Sequence, residues 1–474
     1  MPPVDTLPAM TTNLAIDPAL LRRYDTPGPR YTSYPTAPQF SGAFGATQLR
    51  EAAQASNGDP IPRRLSIYVH VPFCLSPCFY CGCNRIITRD FGRSDGYLAR
   101  LYREIDLVAA LFDRDREVIQ LHFGGGTPNF LRPEQLRELV DCLRRQFHFS
   151  DSPHRDISIE LDPRFISPED VAELGKIGFN RASLGVQDFD PQVQQAVNRI
   201  QSVEQTLAII EACRGNGFKS VNVDLIYGLP KQTREGFGRT LDTVVAARPD
   251  RIAVYSYAHL PNLFKAQRQI EAADLPSPEA KLGLLELAIE RLGEAGYQYI
   301  GMDHFALPDD DLAQAQARGG LHRNFMGYTT HSDSDLIGLG VSAISHVGDS
   351  FSQNPRDLPS WQAAIDEGRL PVFRGMRLSE DDQLRADLIQ QLMCQGEVPV
   401  TALERRYNID FQNYFADALA RLRPLQDDGL VCVEPGRIQV TSQGRLLLRN
   451  IAMCFDRYLQ APDPANVTRF SRAI

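Results

Sequence analysis

Residues 68–89, YVHVPFCLSPCFYCGCNRIITR, place Cys74, Cys78, Cys81 and Cys83 within ten positions. The stretch opens as a strand and breaks at Pro72, Pro77 and Gly82 into a loop. Its first three cysteines have the spacing C-x3-C-x2-C. Three thiolates this close can each hold one iron of a cubane cluster and leave the fourth iron without a protein ligand. A catalytic metal site keeps such an open position, whereas a structural site closes it. Three other readings compete. A disulfide pair suits a secreted chain, but only nine cysteines are spread over 474 residues and the start MPPVDTLPAM lacks the basic and apolar stretches of a secretory signal. A zinc knuckle wants four ligands, usually in two separated pairs, and Cys83 follows Cys81 too tightly. A core role fits a loop of prolines and glycine poorly. The scattered Cys142, Cys213, Cys394, Cys432 and Cys454 read as small core hydrophobes.

Outward from this loop the chain alternates. Strand patterns at SIYVHVP, VIQLHF (118–123), DISIELD (156–162), RASLGVQ (181–187), VNVDLIYG (221–228) and RIAVYSYA (251–258) are each followed by a helix-length segment. The last such helix falls near 278–295, and GYQYIGM (296–302) offers a further strand. Strands alternating with helices predict a parallel sheet. The fold class is therefore α/β, a partial barrel of six βα units over residues 66–370. Residues 1–65 form an arm, disordered over 1–16 and extended through PGPRYTSYPTAPQF. Residues 371–474 carry two amphipathic helices, a hairpin turning at Pro435-Gly436 and a closing helix, which predicts a small, mainly helical, winged-helix-like domain.

Composition narrows the function classes. Hydrophobic residues make up 43% and charged residues 23%, ordinary for a globular chain. The net charge of −9 argues against general nucleic-acid binding. No apolar run reaches the length of a membrane helix. A cytoplasmic protein without membrane or nucleic-acid partners is expected, and nothing in the pattern demands a second copy, so a monomer is expected.

In barrel-like folds the site lies at the carboxyl ends of the strands. The cysteine loop follows the first strand. Gly124, Gly125, Gly126 and Thr127 follow the second. Glu160 and Asp162 end the third, Gln187 and Asp188 the fourth, Asp224 and Tyr227 the fifth, Ala258 and His259 the sixth. A glycine triplet after a strand lets backbone approach a ligand closely. Carboxylates in the same mouth suit a ligand with ribose hydroxyls and an ammonium group. Arg199 can pair with a carboxylate bidentately.

Together, C-x3-C-x2-C, GGGTP, the fourth cysteine in CGCN, the arm PRYTSYPTA and the runs DLIYGLPKQT, YAHLP, GMDHFA, LHRNFMGYTT and GLGVSAIS resemble the oxygen-independent coproporphyrinogen III oxidases of the radical S-adenosylmethionine (SAM) superfamily. The resemblance runs from about residue 20 to the C-terminus. It implies that Cys74, Cys78 and Cys81 ligate a [4Fe-4S] cluster and that Cys83 does not. Tyr68, Gly125, Glu160 and Ile344 would contact the SAM on the open iron. A second SAM position would use Gly126, Thr127, Gln187, Arg199, Asp224, Ala258 and Tyr80, which stands where the family pattern has Phe.

The implied reaction removes CO2 from two propionates of coproporphyrinogen III, leaving vinyl groups and protoporphyrinogen IX. A 5′-deoxyadenosyl radical takes the hydrogen, which no protein acid or base can remove from an unactivated carbon. A flavodoxin-type reductant would feed the cluster, and an unidentified acceptor takes the final electron. Arg30 and Tyr31, beside Tyr34 in the arm, together with Arg85 and Arg89, are the candidates for binding the propionates. The alternatives are a related haem chaperone, a haem-degrading radical methyltransferase, and, in another class, a zinc-binding regulator. Cys83 and PRYTSYP favour the oxidase over the chaperones.

Overall fold

A computed structural model describes residue 14, residues 17–459 and residues 470–472. The disorder expected over residues 1–16 therefore falls, Leu14 apart, outside the described residues. Compactness divides the chain into two units, and it groups the residues otherwise than linear cuts at 65 and 370 do. One unit comprises Ala37–Ser277 and Asp333–Ser379; the other takes the described residues up to Thr36, Pro278–Ser332 and those from Glu380 onward.

The first unit is built on strands β1 (Arg64–Val71), β2 (Glu117–Gly125), β3 (Asp156–Leu161), β4 (Arg181–Gln187), β5 (Ser220–Tyr227) and β6 (Arg251–Ser256). They lie side by side in chain order, and every neighbouring pair is parallel. Helices α1 (Gly92–Ala109), α2 (Pro133–Gln146), α3 (Pro168–Ile177), α4 (Val203–Gly215) and α5 (Arg234–Ala247) occupy the successive crossovers. Right-handed crossovers stepping always in one direction put every helix on the same face, as in a barrel. The sheet stays open. Beyond β1 it continues into a seventh parallel strand, β7 (Ser334–Leu339), and then an antiparallel meander of β8 (Ile344–Val347), β9 (Ser350–Gln353) and β10 (Arg374–Arg377).

Local chemistry sets the boundaries. Along β1 only Arg64 is exposed and Tyr68 partly so, the run expected of a strand covered on both faces. Pro133 opens α2, where its missing N–H costs nothing. In α3 the Ser167 hydroxyl accepts from the Asp170 N–H while the Asp170 carboxylate accepts from the Ser167 N–H, and left-handed Gly178 stops the helix. The six expected strands all form. The sequence reading missed β7 to β10, and it missed the helix Ala46–Asn57, which lies in the arm after the run read as extended.

Behind β1, Glu104 of α1 is fully buried. It accepts from the Gly340 N–H at 2.8 Å, Asn354 Nδ2 at 2.7 Å and Trp361 Nε1 at 3.1 Å. Burial pushes its carboxyl up to about 7, against the lowering effect of those three donors. Between the ordinary value of 4.5 and about 7 the folded chain holds a proton that the unfolded chain has released. This group's contribution to stability is thus complete below 4.5 and declines as pH rises toward 7, by on the order of 3 kcal/mol. Glu104→Gln is expected to abolish that decline. It should also lower stability at pH 5 by roughly 1–3 kcal/mol, because an amide N–H then faces a donor. Denaturant midpoints of both proteins at pH 5 and pH 8 check this; parallel pH profiles would refute it.

The second unit centres on the helix Glu380–Gln395, with the helices Val400–Tyr407 and Ala416–Asp427 and a three-stranded antiparallel sheet. Its hairpin, Val431–Glu434 with Arg437–Val440, turns at the expected Pro435-Gly436. The expected closing helix is shorter, Leu448–Met453 between two 3-10 turns. Tyr31 and Tyr34 of the arm share this unit's core with Leu388, Phe411 and Phe455. Arg449 fastens the arm by donating to the Pro29 carbonyl at 3.1 Å and also to that of Gly28. The strand expected near 296–302 is Gln298–Gly301, antiparallel to His304–Ala306. No helix among the described residues is long and apolar enough to cross a membrane.

Candidate active site

The cysteine loop leaves the carboxyl end of β1 and folds back on itself. Phe73–Cys74 pairs with Ile86–Ile87. Arg85, taken from sequence as a candidate for the propionates, instead reaches into the loop. Its Nη1 donates to the Cys81 carbonyl at 3.0 Å and its Nη2 to the Cys78 carbonyl at 3.2 Å. Asn198 Nδ2 holds the Pro77 carbonyl at 2.7 Å, and the Phe79 N–H donates to the Val197 carbonyl at 2.9 Å. His70 ties the loop to β1. The Asn84 carbonyl can only accept, so His70 Nε2 carries the proton at 3.0 Å from it, and Nδ1 accepts from the Tyr68 hydroxyl at 3.0 Å. Burial lowers the pKa of His70, which keeps that neutral tautomer.

All four cysteines of the loop are free thiols. Each of two sulfurs has its own donors. Cys78 Sγ faces Arg199 Nη1 at 3.4 Å and Arg164 Nη2 at 3.5 Å. Cys81 Sγ accepts from the Cys83 N–H at 3.4 Å. The Cys83 thiol, with Arg85, that N–H and Arg199 adding to it against burial, pulls Cys81 down to about 6. Burial pushes the Cys74 thiol up to about 12. Among the described residues no three of His, Cys, Asp and Glu converge on the position of a single ion. A cubane does not ask for that convergence, since each thiolate takes a different iron. Free thiols and N–H donors directed at two of the sulfurs fit such a cluster.

The glycine triplet lies directly under the loop. The Gly126 N–H donates to the Val71 carbonyl and the Thr127 N–H to the Phe73 carbonyl, both at 2.8 Å. Gly125 has φ +120°, and a Cβ there would stand 2.7 Å from the His70 ring. A Cβ on Gly124 would meet Glu160 Oε1 at 3.0 Å and the Tyr68 ring at 3.1 Å, so those two side chains border one space. Tyr68 pairs in register with Gly338 of β7, whose own Cβ would strike the Ile344 carbonyl. Tyr68, Gly125, Glu160 and Ile344 are thus brought together at one end of the sheet. Among the described residues Glu160 accepts only long bonds, 3.4 Å from His122 Nε2 and 3.3 Å from the Gly125 N–H, and its side chain is 45% exposed. It keeps acceptor capacity for hydroxyl or ammonium donors.

Deeper in the mouth, Arg199 is 5% exposed. Besides Cys78 it donates to Asp162 Oδ2 at 3.1 Å and to the Gly185 carbonyl, while its Nε is buried without a protein partner among the described residues. Gln187, at φ +70°, sits at an irregularity in the β4–β5 register. Asp224 accepts from Ser183 Oγ at 2.9 Å and Asn222 Nδ2 at 2.8 Å; burial and then the Glu160 charge push it up to about 6. Tyr80 packs beside Val193, Val197 and Tyr257. Gln267 Nε2 holds the Tyr80 carbonyl at 2.9 Å and the Ala258 carbonyl at 3.2 Å, which joins the cysteine loop to the segment after β6.

Sequence reasoning missed Arg164 and Gln267. The run Asp162-Pro163-Arg164, directly after a strand, was the available signal for the first; for Gln267 there was none. The arm candidates have partners within their own unit. Arg30 is ion-paired with Asp303, and buried Tyr31 donates its hydroxyl to Asp456 at 2.9 Å. Arg89 is exposed.

The family model of the radical SAM superfamily matches residues 68–244, and that of the HemN C-terminal domain matches residues 378–447. The chain is 51% identical to the oxygen-independent coproporphyrinogen III oxidase of Pseudomonas aeruginosa, over 98% of this chain and 100% of that one. It is 49% identical to the enzyme of the same name from Escherichia coli, over 97% and 98%. The solved structure of the Escherichia coli coproporphyrinogen III oxidase, described as a radical SAM enzyme, superposes with a TM-score of 0.89 at 48% identity, covering 94% of this chain and 99% of that one.

Proposed function

The chain belongs to the oxygen-independent coproporphyrinogen III oxidases of the radical SAM superfamily, and from that premise we propose how its residues serve the reaction. It is an oxidoreductase that oxidatively decarboxylates two propionate side chains of coproporphyrinogen III to vinyl groups, giving protoporphyrinogen IX. Likeness at about half identity over nearly the full chain favours this reading over the haem-handling relatives and the zinc regulator. When bound, a [4Fe-4S] cluster and SAM supply a carbon-centred radical able to take hydrogen from an unactivated carbon.

The observation that carries the assignment is the loop of four free cysteines, three of them in C-x3-C-x2-C spacing, set on the glycine triplet with N–H donors at two of its sulfurs. Cys74, Cys78 and Cys81 hold the cluster. Tyr68, Gly125, Glu160 and Ile344 line the first SAM position, Glu160 offering its free acceptor capacity. Tyr80, Gly126, Thr127, Gln187, Arg199, Asp224 and Ala258 line a second, for which the unpartnered Arg199 Nε offers a donor to an anionic group. An external one-electron carrier of the flavodoxin type supplies the cluster, and the chain works as a cytoplasmic monomer.

In the arm, Arg30 remains the candidate cation for a propionate, its side chain one-third exposed beside Asp303. Arg30→Ala is expected to raise the KM for coproporphyrinogen III about tenfold, on the order of 1.4 kcal/mol, and to leave SAM cleavage intact. Unchanged KM removes Arg30 from the substrate site.

The function is tested by a strictly anaerobic assay with coproporphyrinogen III, SAM and a reductant. Protoporphyrinogen IX and 5′-deoxyadenosine should both form. Release of 5′-deoxyadenosine without vinyl product overturns the substrate assignment.

A further inference from the structure

Asp162, at the end of β3, lies between two arginines. Arg164 Nη2 donates to it at 2.7 Å and Arg199 Nη1 at 3.1 Å. The carboxylate is held below its usual range despite burial, chiefly by Arg199 and then by Arg164. It stays ionised, so the triad carries one net positive charge. Both guanidiniums turn a second N–H to the same atom, Cys78 Sγ. The side chains of Arg164, Arg199 and Asp162 are only 9%, 6% and 10% exposed, so solvent screens this charge weakly.

We propose that Arg164 is a positioning residue that sets the reduction potential of the cluster held at Cys74, Cys78 and Cys81. The inference rests on the cluster reading above. One-electron reduction adds one negative charge to the cluster, and a fixed cation with an N–H on a ligating sulfur stabilises the reduced form. Arg164 suits this role better than a lysine would, because its fork grips Asp162 and still spares an N–H for Cys78. A purely structural role is also open to it. Its own N–H caps Asp162 at 3.2 Å, and its guanidinium stacks 4.9 Å from the Phe165 ring. That role affects folding and leaves the potential unmoved.

The test is an anaerobic redox titration of the reconstituted full-length chain, with dithionite as the one-electron reductant, SAM absent, and the reduced cluster read by electron paramagnetic resonance. Arg164→Gln should make the cluster at least about tenfold harder to reduce, a fall of about 59 mV. Arg164→Lys should fall by less. Asp162→Asn, which leaves two unneutralised arginines at Cys78, should shift the potential upward. An intact chromophore with unmoved potential in Arg164→Gln overturns the inference. So does a shift of the same sign in Asp162→Asn and either Arg164 variant, a comparison that Arg164→Lys supplies if Arg164→Gln fails to hold iron. A parent chain that takes up no iron–sulfur chromophore sinks the cluster reading itself.

Discussion

Reconstituted anaerobically with iron and sulfide, the Cys78→Ser protein is expected to lack the brown iron–sulfur chromophore and to form no vinyl product. Cys74→Ser and Cys81→Ser should behave alike. On the proposed ligand set each thiolate would be the sole protein ligand of its iron, and a serine hydroxyl is a far poorer ligand for a soft iron–sulfur centre. At Cys78 the loss is compounded, because Arg164 and Arg199 are left facing a neutral oxygen. Activity should fall by at least about a thousandfold, on the order of 4 kcal/mol in the barrier. Cys432→Ser, at an exposed cysteine outside the loop, is the control and should change nothing. Absorbance, iron content and product yield decide the matter. Full activity in any of the three loop variants refutes the ligand assignment.

The second large effect is expected from a single methyl group. A Cβ at Gly126 would stand 2.7 Å from the Phe73 carbonyl oxygen and 2.8 Å from the Pro72 carbonyl. These are backbone atoms, so no side chain can swing aside. Relief requires the segment leading into Cys74 to move, which disturbs the Thr127–Phe73 and Gly126–Val71 hydrogen bonds. Overpacking of this kind costs roughly 1–3 kcal/mol. Gly126→Ala should therefore melt several degrees lower, at about 2–4 °C per kcal/mol, and should bind markedly less iron per chain. Gly42→Ala, where a Cβ would meet no described atom within 4 Å, should match the parent. Full iron content and an unchanged melting point in Gly126→Ala would show that the loop tolerates the shift.

Both residues were legible in the sequence, and for physical reasons. Cysteine spacing reports metal chemistry directly, and a glycine run after a buried strand reports close backbone approach. The six alternating units were readable because each strand is rich in apolar residues, unbroken in Ile252–Tyr255 of β6 and alternating with polar ones in β3 and β5, and each is followed by a helix-length segment. The meander from β7 to β10 was not, because its strands are four to six residues long and broken by Gly340 and Gly348 at positive φ. Contacts across long chain separations were also out of reach. Tyr31 looked like an arm residue free to meet a ligand, yet its hydroxyl is taken by Asp456, 425 positions away. The run Asp162-Pro163-Arg164 marks Arg164 as a strand-end residue but not its partner, a sulfur 86 positions away, and nothing local marks Gln267, which reaches a carbonyl 187 positions away.

The placement of β7 bears on how the molecule is made. On one edge Leu65 of β1 meets Val118, synthesised soon after it; on the other it meets Asp335, which follows only after more than half of the chain's length. At ribosomal speeds of about 5–20 residues per second, that flank stays unpaired for on the order of ten seconds or more. The strand feeding the cysteines is meanwhile a bare edge, open to pairing with other chains. Through that interval the strand that feeds the cysteines has one flank unpaired, and β1 gains its second neighbour only when translation is well advanced.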